Sequence, residues 1–160
     1  MNRLSNLIHR TLNLNTDIVR SSLYNEATFY KSFIADLNNC KRTVLIESPY
    51  LTTKRVAALL PVLAKIVKRG VAVTVCTRHP DEHDAVLRAQ AYAAMARLHS
   101  IGVDLRLETG YLHRKVAIVD DCILWEGSLN ILSQNTSKEM MRRSFSRQLV
   151  RQMIRFIGYK

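Results

Sequence analysis

Hydrophobic and polar positions along this chain follow two periods. Over Asn25 to Asn39 (NEATFYKSFIADLNN), Phe29, Phe33, Ile34 and Leu37 return every three or four residues, which predicts an amphipathic helix. TVLIES (43–48) is a short β-branched run stopped by Pro49 and predicts a strand. Thr53 to Arg69 predicts a second helix, with Thr52 or Thr53 as its cap and Gly70 as its stop. VAVTVCTR (71–78) predicts a second strand. Asp81 to Ser100 is Ala-rich, follows Pro80, opens on two acids and precedes Gly102, so it predicts a third helix. VDLRLE (103–108) alternates as a third strand. HRKVAIVD (113–120) and CILWEG (122–127) are joined too tightly for a crossover and predict a hairpin. Ser146 to Ile157 predicts a last amphipathic helix.

This order predicts an α/β fold: a mixed, mostly parallel β-sheet with helices on both faces. Strands 43–48, 71–78 and 113–119 are apolar on both faces, as central strands are. The elements place one domain over residues 25–160, preceded by a helical extension over residues 1–24. A chain of 160 residues is long enough to bury a real core. AALLPVLAKIV (57–67) is the best apolar run, and Pro61 and Lys65 interrupt it, so no membrane span is expected. The opening segment lacks the long apolar core and small-residue cleavage site of a secretory signal. Cys40, Cys76 and Cys122 are odd in number and lack CxxC spacing, and they read as reduced, small core residues of an intracellular, cytoplasmic protein.

Charge changes this picture. Lys and Arg outnumber Asp and Glu by 24 to 13, a formal +11, which favours a polyanionic partner, nucleic acid first. Arg142, Arg143, Arg147, Arg151, Arg155 and Lys160 crowd the tail, over Phe145, Leu149, Met153 and Phe156 at near-helical spacing. That pattern suits a packed helix with a solvated basic face, a rim that holds a nucleic-acid backbone, or both. Arg78, Arg142 and Arg143 are candidate nucleic-acid contacts. Aromatic residues make up only 7% of the chain, too few for extensive base stacking, so weak sequence preference is expected.

The candidate chemistry lies in residues 113–130, HRKVAIVDDCILWEGSLN. Strand alternation points His113 and Lys115 at one spot and gives Asp120 the other parity. Two basic groups at a strand mouth call for an anionic counterpart, and phosphate suits them. The hairpin returns Gly127, Ser128 and Asn130 towards the same end. Gly127 permits close backbone approach, Ser128 offers a hydroxyl and Asn130 an amide. Among these groups only the imidazole can also attack phosphorus or carry a proton near neutral pH.

The H-x-K-x4-D pattern of His113, Lys115 and Asp120, followed by GSLN (127–130), resembles the HKD signature of the phospholipase D superfamily. ILWEGSLNILSQNTSKEMMRRS (123–144) looks especially like the phospholipase D-like nuclease domains of bacteria, free-standing or attached to helicases and restriction enzymes. TVLIESPYLTTKRV (43–56) and GVAVTVCTRHPDEH (70–83) resemble their opening units, so the likeness covers roughly residues 25–145. The resemblance implies that His113 is the nucleophile and forms a phosphohistidine. It implies that Lys115 and Asn130 bind phosphate oxygens, assisted by Ser128, and that Glu139 orients a histidine. Asp120 matches the motif's aspartate and joins the candidate catalytic set, although its parity suggests a structural or ion-pairing role. The family's site needs two histidines and this chain carries one copy of the motif, so a homodimer with two facing His113 residues is implied. Apolar surface near Trp125 would serve that interface if Trp125 is not in the core. The implied chemistry needs no metal and no cofactor. His79 and His83 lie among Asp81, Glu82 and Asp84, but Pro80 breaks their helical spacing, and helix-start acids account for the carboxylates.

These residues point to a metal-independent phosphodiesterase, an endonuclease acting on DNA, with RNA a second candidate substrate. Two other classes stay open. One is a lipid phosphodiesterase on the same scaffold. The other is a nucleic-acid-binding or dimerising module with a helicase or restriction protein as its partner.

Overall fold

The computed structural model describes residues 20–133 and 136–159. Its strands are β1 (Arg20–Asn25), β2 (Thr43–Glu47), β3 (Ala72–Arg78), β4 (Asp104–Glu108), β5 (Val116–Val119), β6 (Ile123–Gly127) and β7 (Met140–Phe145). Its helices are α1 (Phe29–Asn39), α2 (Thr53–Lys68), α3 (Ala85–Ser100) and α4 (Arg147–Ile157), with a 3-10 turn at Pro80–Glu82. The strands form one sheet in the order β1-β7-β6-β5-β2-β3-β4.

The caps explain the helix limits. Thr52, Asp84 and Ser146 each accept a hydrogen bond from the backbone N–H three residues on, so α2, α3 and α4 start where a side chain satisfies a free amide. The helix expected from Asp81 therefore starts later, after the 3-10 turn.

The sheet differs from expectation in direction. Only β2–β3 and β3–β4 are parallel; β1–β7, β7–β6, β6–β5 and β5–β2 are antiparallel. An apolar strand reports burial on both faces, which an antiparallel strand under helices also has. The reversal follows from the connection after β4: residues 109–115 hold no helix, so β5 returns beside β2 in the opposite sense. The expected helical extension over residues 1–24 lies outside the described residues up to residue 19, and Arg20–Asn25 is a strand paired with β7.

One core lies under α1, α2 and α3, and a smaller one under α4, so helices cover both faces. Phe29, Phe33 and Trp125 are fully buried, with Trp125 edge-on to both phenylalanine rings. Each such ring contributes about 2–3 kcal/mol by burial. Trp125 is therefore core, not interface surface. On α4, Leu149, Val150, Met153, Ile154 and Ile157 face the sheet. Phe145 and Phe156, expected beneath the basic tail, are exposed instead. Cys40, Cys76 and Cys122 are all free, the first two buried and Cys122 half-buried.

Candidate active site

The parallel and antiparallel halves of the sheet meet at the β2–β5 boundary. The 109–115 connection leaves the carboxyl end of β4 and passes the ends of β3 and β2 before β5 begins. His113, Arg114 and Lys115 thus lead into β5 rather than lie within it. Because β5–β6 and β6–β7 are antiparallel, the end of β6 at Gly127 and the start of β7 at Met140 open at this same edge. Crevices at the carboxyl ends of strands, where strand order reverses, are where open α/β sheets take ligands.

Two side chains hold the loop that delivers His113. The Glu82 carboxylate accepts the Gly110 and Tyr111 amides at 2.9 and 3.1 Å. Arg78 donates from Nε and Nη2 to the Leu112 carbonyl at 3.2 and 3.0 Å, and its Nε lies 3.8 Å from Glu82. The Gly110 amide, working against burial and aided by Tyr111 and Arg78, keeps the Glu82 carboxyl below its ordinary range. Tyr111 sits at φ 62, a left-handed conformation that costs a tyrosine about 1–2 kcal/mol. Clamps on both sides hold it there.

His113 is exposed, while Lys115 is 8% exposed. The Lys115 Nζ donates to the His113 carbonyl at 2.6 Å and lies 2.8 Å from Nδ1 of the same residue. The ammonium beside it lowers the His113 pKa, with burial and Arg78 adding to the effect. The imidazole is therefore kept neutral further into acid than an ordinary histidine, with the Lys115 Nζ 2.8 Å from its Nδ1 and 3.2 Å from its Nε2. Burial lowers the Lys115 pKa, Arg78 lowers it further, and Glu139 opposes both. Tyr50, just after β2, places its ring edge-on to His113 at 6.5 Å and tilted over His83 at 5.2 Å.

Ser128, Asn130 and Glu139 lie on the β6–β7 connection at the same edge. The Ser128 hydroxyl accepts the Met140 amide at 3.1 Å. Gly127 is required there, because a Cβ would collide with the Met140 carbonyl oxygen and lie 2.9 Å from the Met141 Cα. The Glu139 carboxylate accepts the Ser137 hydroxyl at 2.7 Å. Among the described residues, Asn130 Oδ1 and His83 Nε2 are buried with no hydrogen-bond partner. Leaving such atoms unpaired costs about 1–3 kcal/mol each.

Three candidate residues go elsewhere. Asp120 is at the opposite end of β5, where its carboxylate accepts the amides of Lys41, Arg42 and Thr43 at 2.7, 2.7 and 3.2 Å. It fastens the start of β2, at the end of the strand away from His113 and Lys115. Arg143 is not a free nucleic-acid contact: it makes a two-pronged pair with Asp36 at 2.8 Å through both Nε and Nη2. Arg142 is exposed and donates to Ser21 Oγ on β1 at 3.0 Å. Arg78, the other candidate nucleic-acid contact, is buried against Leu112 beside the site. His79 Nδ1 accepts the Asp81 amide, and among the described residues no cluster of His, Cys, Asp and Glu could hold a metal ion.

The sequence reading missed Tyr50, the Glu82 clamp and the pair between Arg114 and buried Glu47. Arg114 Nε and Nη2 meet the Glu47 carboxylate at 2.7 and 2.9 Å, pinning the residue between His113 and Lys115 to the end of β2. An acid closing an otherwise apolar strand was the available signal. An arginine of opposite parity to His113 and Lys115 was its counterpart.

Residues 33–158 match the family described as "Cardiolipin synthase, PLD-like domain", and the chain belongs to this phospholipase D-like family. It is 31% identical over 99 residues to cardiolipin synthase A of Pseudomonas putida and, to the same extent, of Pseudomonas entomophila. Those alignments cover 62% of this chain and 20% of each relative, so the chain spans about a fifth of their length. The fold resembles the phospholipase D family member Nuc of Salmonella typhimurium, with a TM-score of 0.73, 17% identity, and 86% and 91% of the two chains covered. It also resembles NucT of Helicobacter pylori, with a TM-score of 0.67, 19% identity, and 86% and 92% covered. Among the described residues, no helix is long and apolar enough to cross a membrane.

Proposed function

We propose that this protein is a phosphodiesterase that cleaves nucleic acid without a metal, in a site shared by two copies of the chain. The observation that carries the reading is the contact between Lys115 Nζ and the exposed His113 ring, at 2.8 Å, where the strand directions reverse. A neutral ring nitrogen of His113 attacks phosphorus and breaks the bond to the leaving oxygen, giving a phosphohistidine. Lys115, Ser128 and Asn130 offset the charge that builds on the phosphoryl oxygens. His113 of the second copy protonates the leaving oxygen and then takes a proton from the water that releases the phosphate. A net charge of +11 favours a polyanionic substrate, nucleic acid first.

The likeness to cardiolipin synthase A supports a second reading, a lipid phosphodiester substrate. One experiment separates them. Purified protein in excess EDTA is incubated with single- and double-stranded DNA, RNA, and vesicles of phosphatidylglycerol or phosphatidylcholine. Cleavage of nucleic acid that survives EDTA and vanishes in His113→Ala is expected. Turnover of vesicles alone would replace the nuclease reading with the lipid one. Salt-sensitive binding with no cleavage would leave a binding module of a larger system. A mixture of His113→Ala and unmodified chains tests the shared site, because only dimers with two imidazoles should turn over.

A further inference from the structure

A cavity of about 450 Å³ is lined by Tyr50, Thr52, Lys54, Arg55, Leu87, Gln90 and Ser133. Two of its walls belong to the candidate site. Tyr50 is the ring that meets His113 edge-on at 6.5 Å. Ser133 ends the turn that carries Asn130, since its amide donates to the Asn130 carbonyl at 3.1 Å. That turn is docked against the start of α2, where the Thr52 amide donates to the Leu132 carbonyl at 3.0 Å. The cavity is therefore joined to the candidate site through the Tyr50 ring and the turn that carries Asn130.

Its lining is suited to a phosphorylated ligand with a flat ring. Lys54 is exposed and lines the cavity, and Arg55, whose guanidinium lies 3.9 Å above the Tyr30 ring, lines it too. Thr52, Gln90 and Ser133 add hydrogen-bonding groups, while Tyr50 and Leu87 offer apolar surface against a base or sugar. The volume lies in the range of small-ligand sites, large enough for one nucleotide and too small for a duplex. Reaching it requires a nucleotide splayed from its neighbours, which a single strand allows at low cost.

We propose that this cavity holds the nucleotide next to the scissile phosphate of a single-stranded nucleic acid, with Lys54 on that nucleotide's outer phosphate. The proposal rests on the nuclease reading above and adds to it a strand preference and a subsite.

The test compares kcat/KM for a single-stranded oligonucleotide with kcat/KM for bis(p-nitrophenyl) phosphate, which has no flanking nucleotide. Lys54→Glu and the cavity-filling Gln90→Trp should each lower the ratio of the two values by about ten-fold or more, through KM of the oligonucleotide. Lys68→Glu makes the same charge change at the other end of α2 and should leave the ratio within about two-fold. Cleavage of both substrates with no selective loss in either cavity variant would overturn the subsite alone. So would an equal loss in Lys68→Glu, or equal preference for duplex and single strand. Failure of the unmodified protein to cleave either substrate would overturn the nuclease reading, and the subsite with it.

Discussion

Asp36 is the most exacting test of what holds the site-bearing half of the sheet. Its carboxylate on α1 accepts Trp125 Nε1 from β6 and Arg143 Nε and Nη2 from β7, all at 2.8 Å. The Asp36 side chain is 12% exposed, that of Arg143 26%, and Trp125 is fully buried. Asp36→Ala would leave an indole N–H and a guanidinium without their acceptor. Stranding one member of a buried pair costs about 3–5 kcal/mol, and the quarter exposure of Arg143 lowers that figure. Adding the buried indole brings the expected loss to about 3 kcal/mol. For a chain of this size that is a fall of about 6–12 °C in Tm. Arg143→Ala should cost less, about 2 kcal/mol, because the carboxylate keeps the indole. The double variant should show a coupling of about 1–2 kcal/mol. Urea unfolding followed by fluorescence reads all three, since Trp125 is the only tryptophan. A loss below about 1 kcal/mol in Asp36→Ala with unchanged m would refute the reasoning. So would an Arg143→Ala variant of full stability and weakened oligonucleotide binding.

Further outcomes are expected elsewhere. Asp120→Ala should destabilise by about 2 kcal/mol by freeing three amides, with kcat of the folded fraction unchanged; a selective loss of kcat would return Asp120 to the chemistry. Burial would raise the Asp120 pKa, but the Arg42, Lys41 and Thr43 amides outweigh it, so the net shift is downward. Its stabilisation is thus present above the unfolded carboxyl value of about 4 and fades as pH falls below it, which acid unfolding of Asp120→Asn against the unmodified protein will show. Since Lys115, burial and Arg78 lower the His113 pKa, the acid limb of the cleavage profile should lie below the ordinary imidazole range. In Lys115→Met the NMR titration of His113 should move upward, and no movement would remove Lys115 as its cause. Gly127→Ala forces β6 from β7 at the Met140 carbonyl and should cost about 2 kcal/mol or more along with activity, read by thermal unfolding and the EDTA assay.

Local patterns carried much of this molecule. The expected pairing of His113 with Lys115 is present although the strand proper begins at Val116, whereas Asp120 stands apart because it lies at the other end of β5 and not because of its parity. Apolar runs marked β2, β3 and the β5–β6 hairpin. Strand direction was less legible, since burial on both faces is blind to it. β1 was missed because RSSLYN is polar and pairs with β7, 115 or more residues along. Asp36 reads as one more polar position on a helix until Trp125 and Arg143 arrive from distant strands. Glu82 resembled a helix-start acid, and only the long-range return of residues 110 and 111 turns it into a clamp.

The hairpin turn has a consequence for how this site can evolve. Asp120 and Asp121 both adopt left-handed backbone, at φ 52 and 56, and the Cys122 amide closes the turn on the Val119 carbonyl. From there the hairpin acts as a ruler some 13 Å long, four residues of about 3.3 Å, whose zero mark is the turn. One inserted residue at that mark would slide the scale and invert every side chain on one arm. The imidazole–ammonium pair and the GSLN segment would then no longer share an edge. The spacing between that edge and the turn is thus set at the far end of the hairpin, where Asp120 is tied to the start of β2.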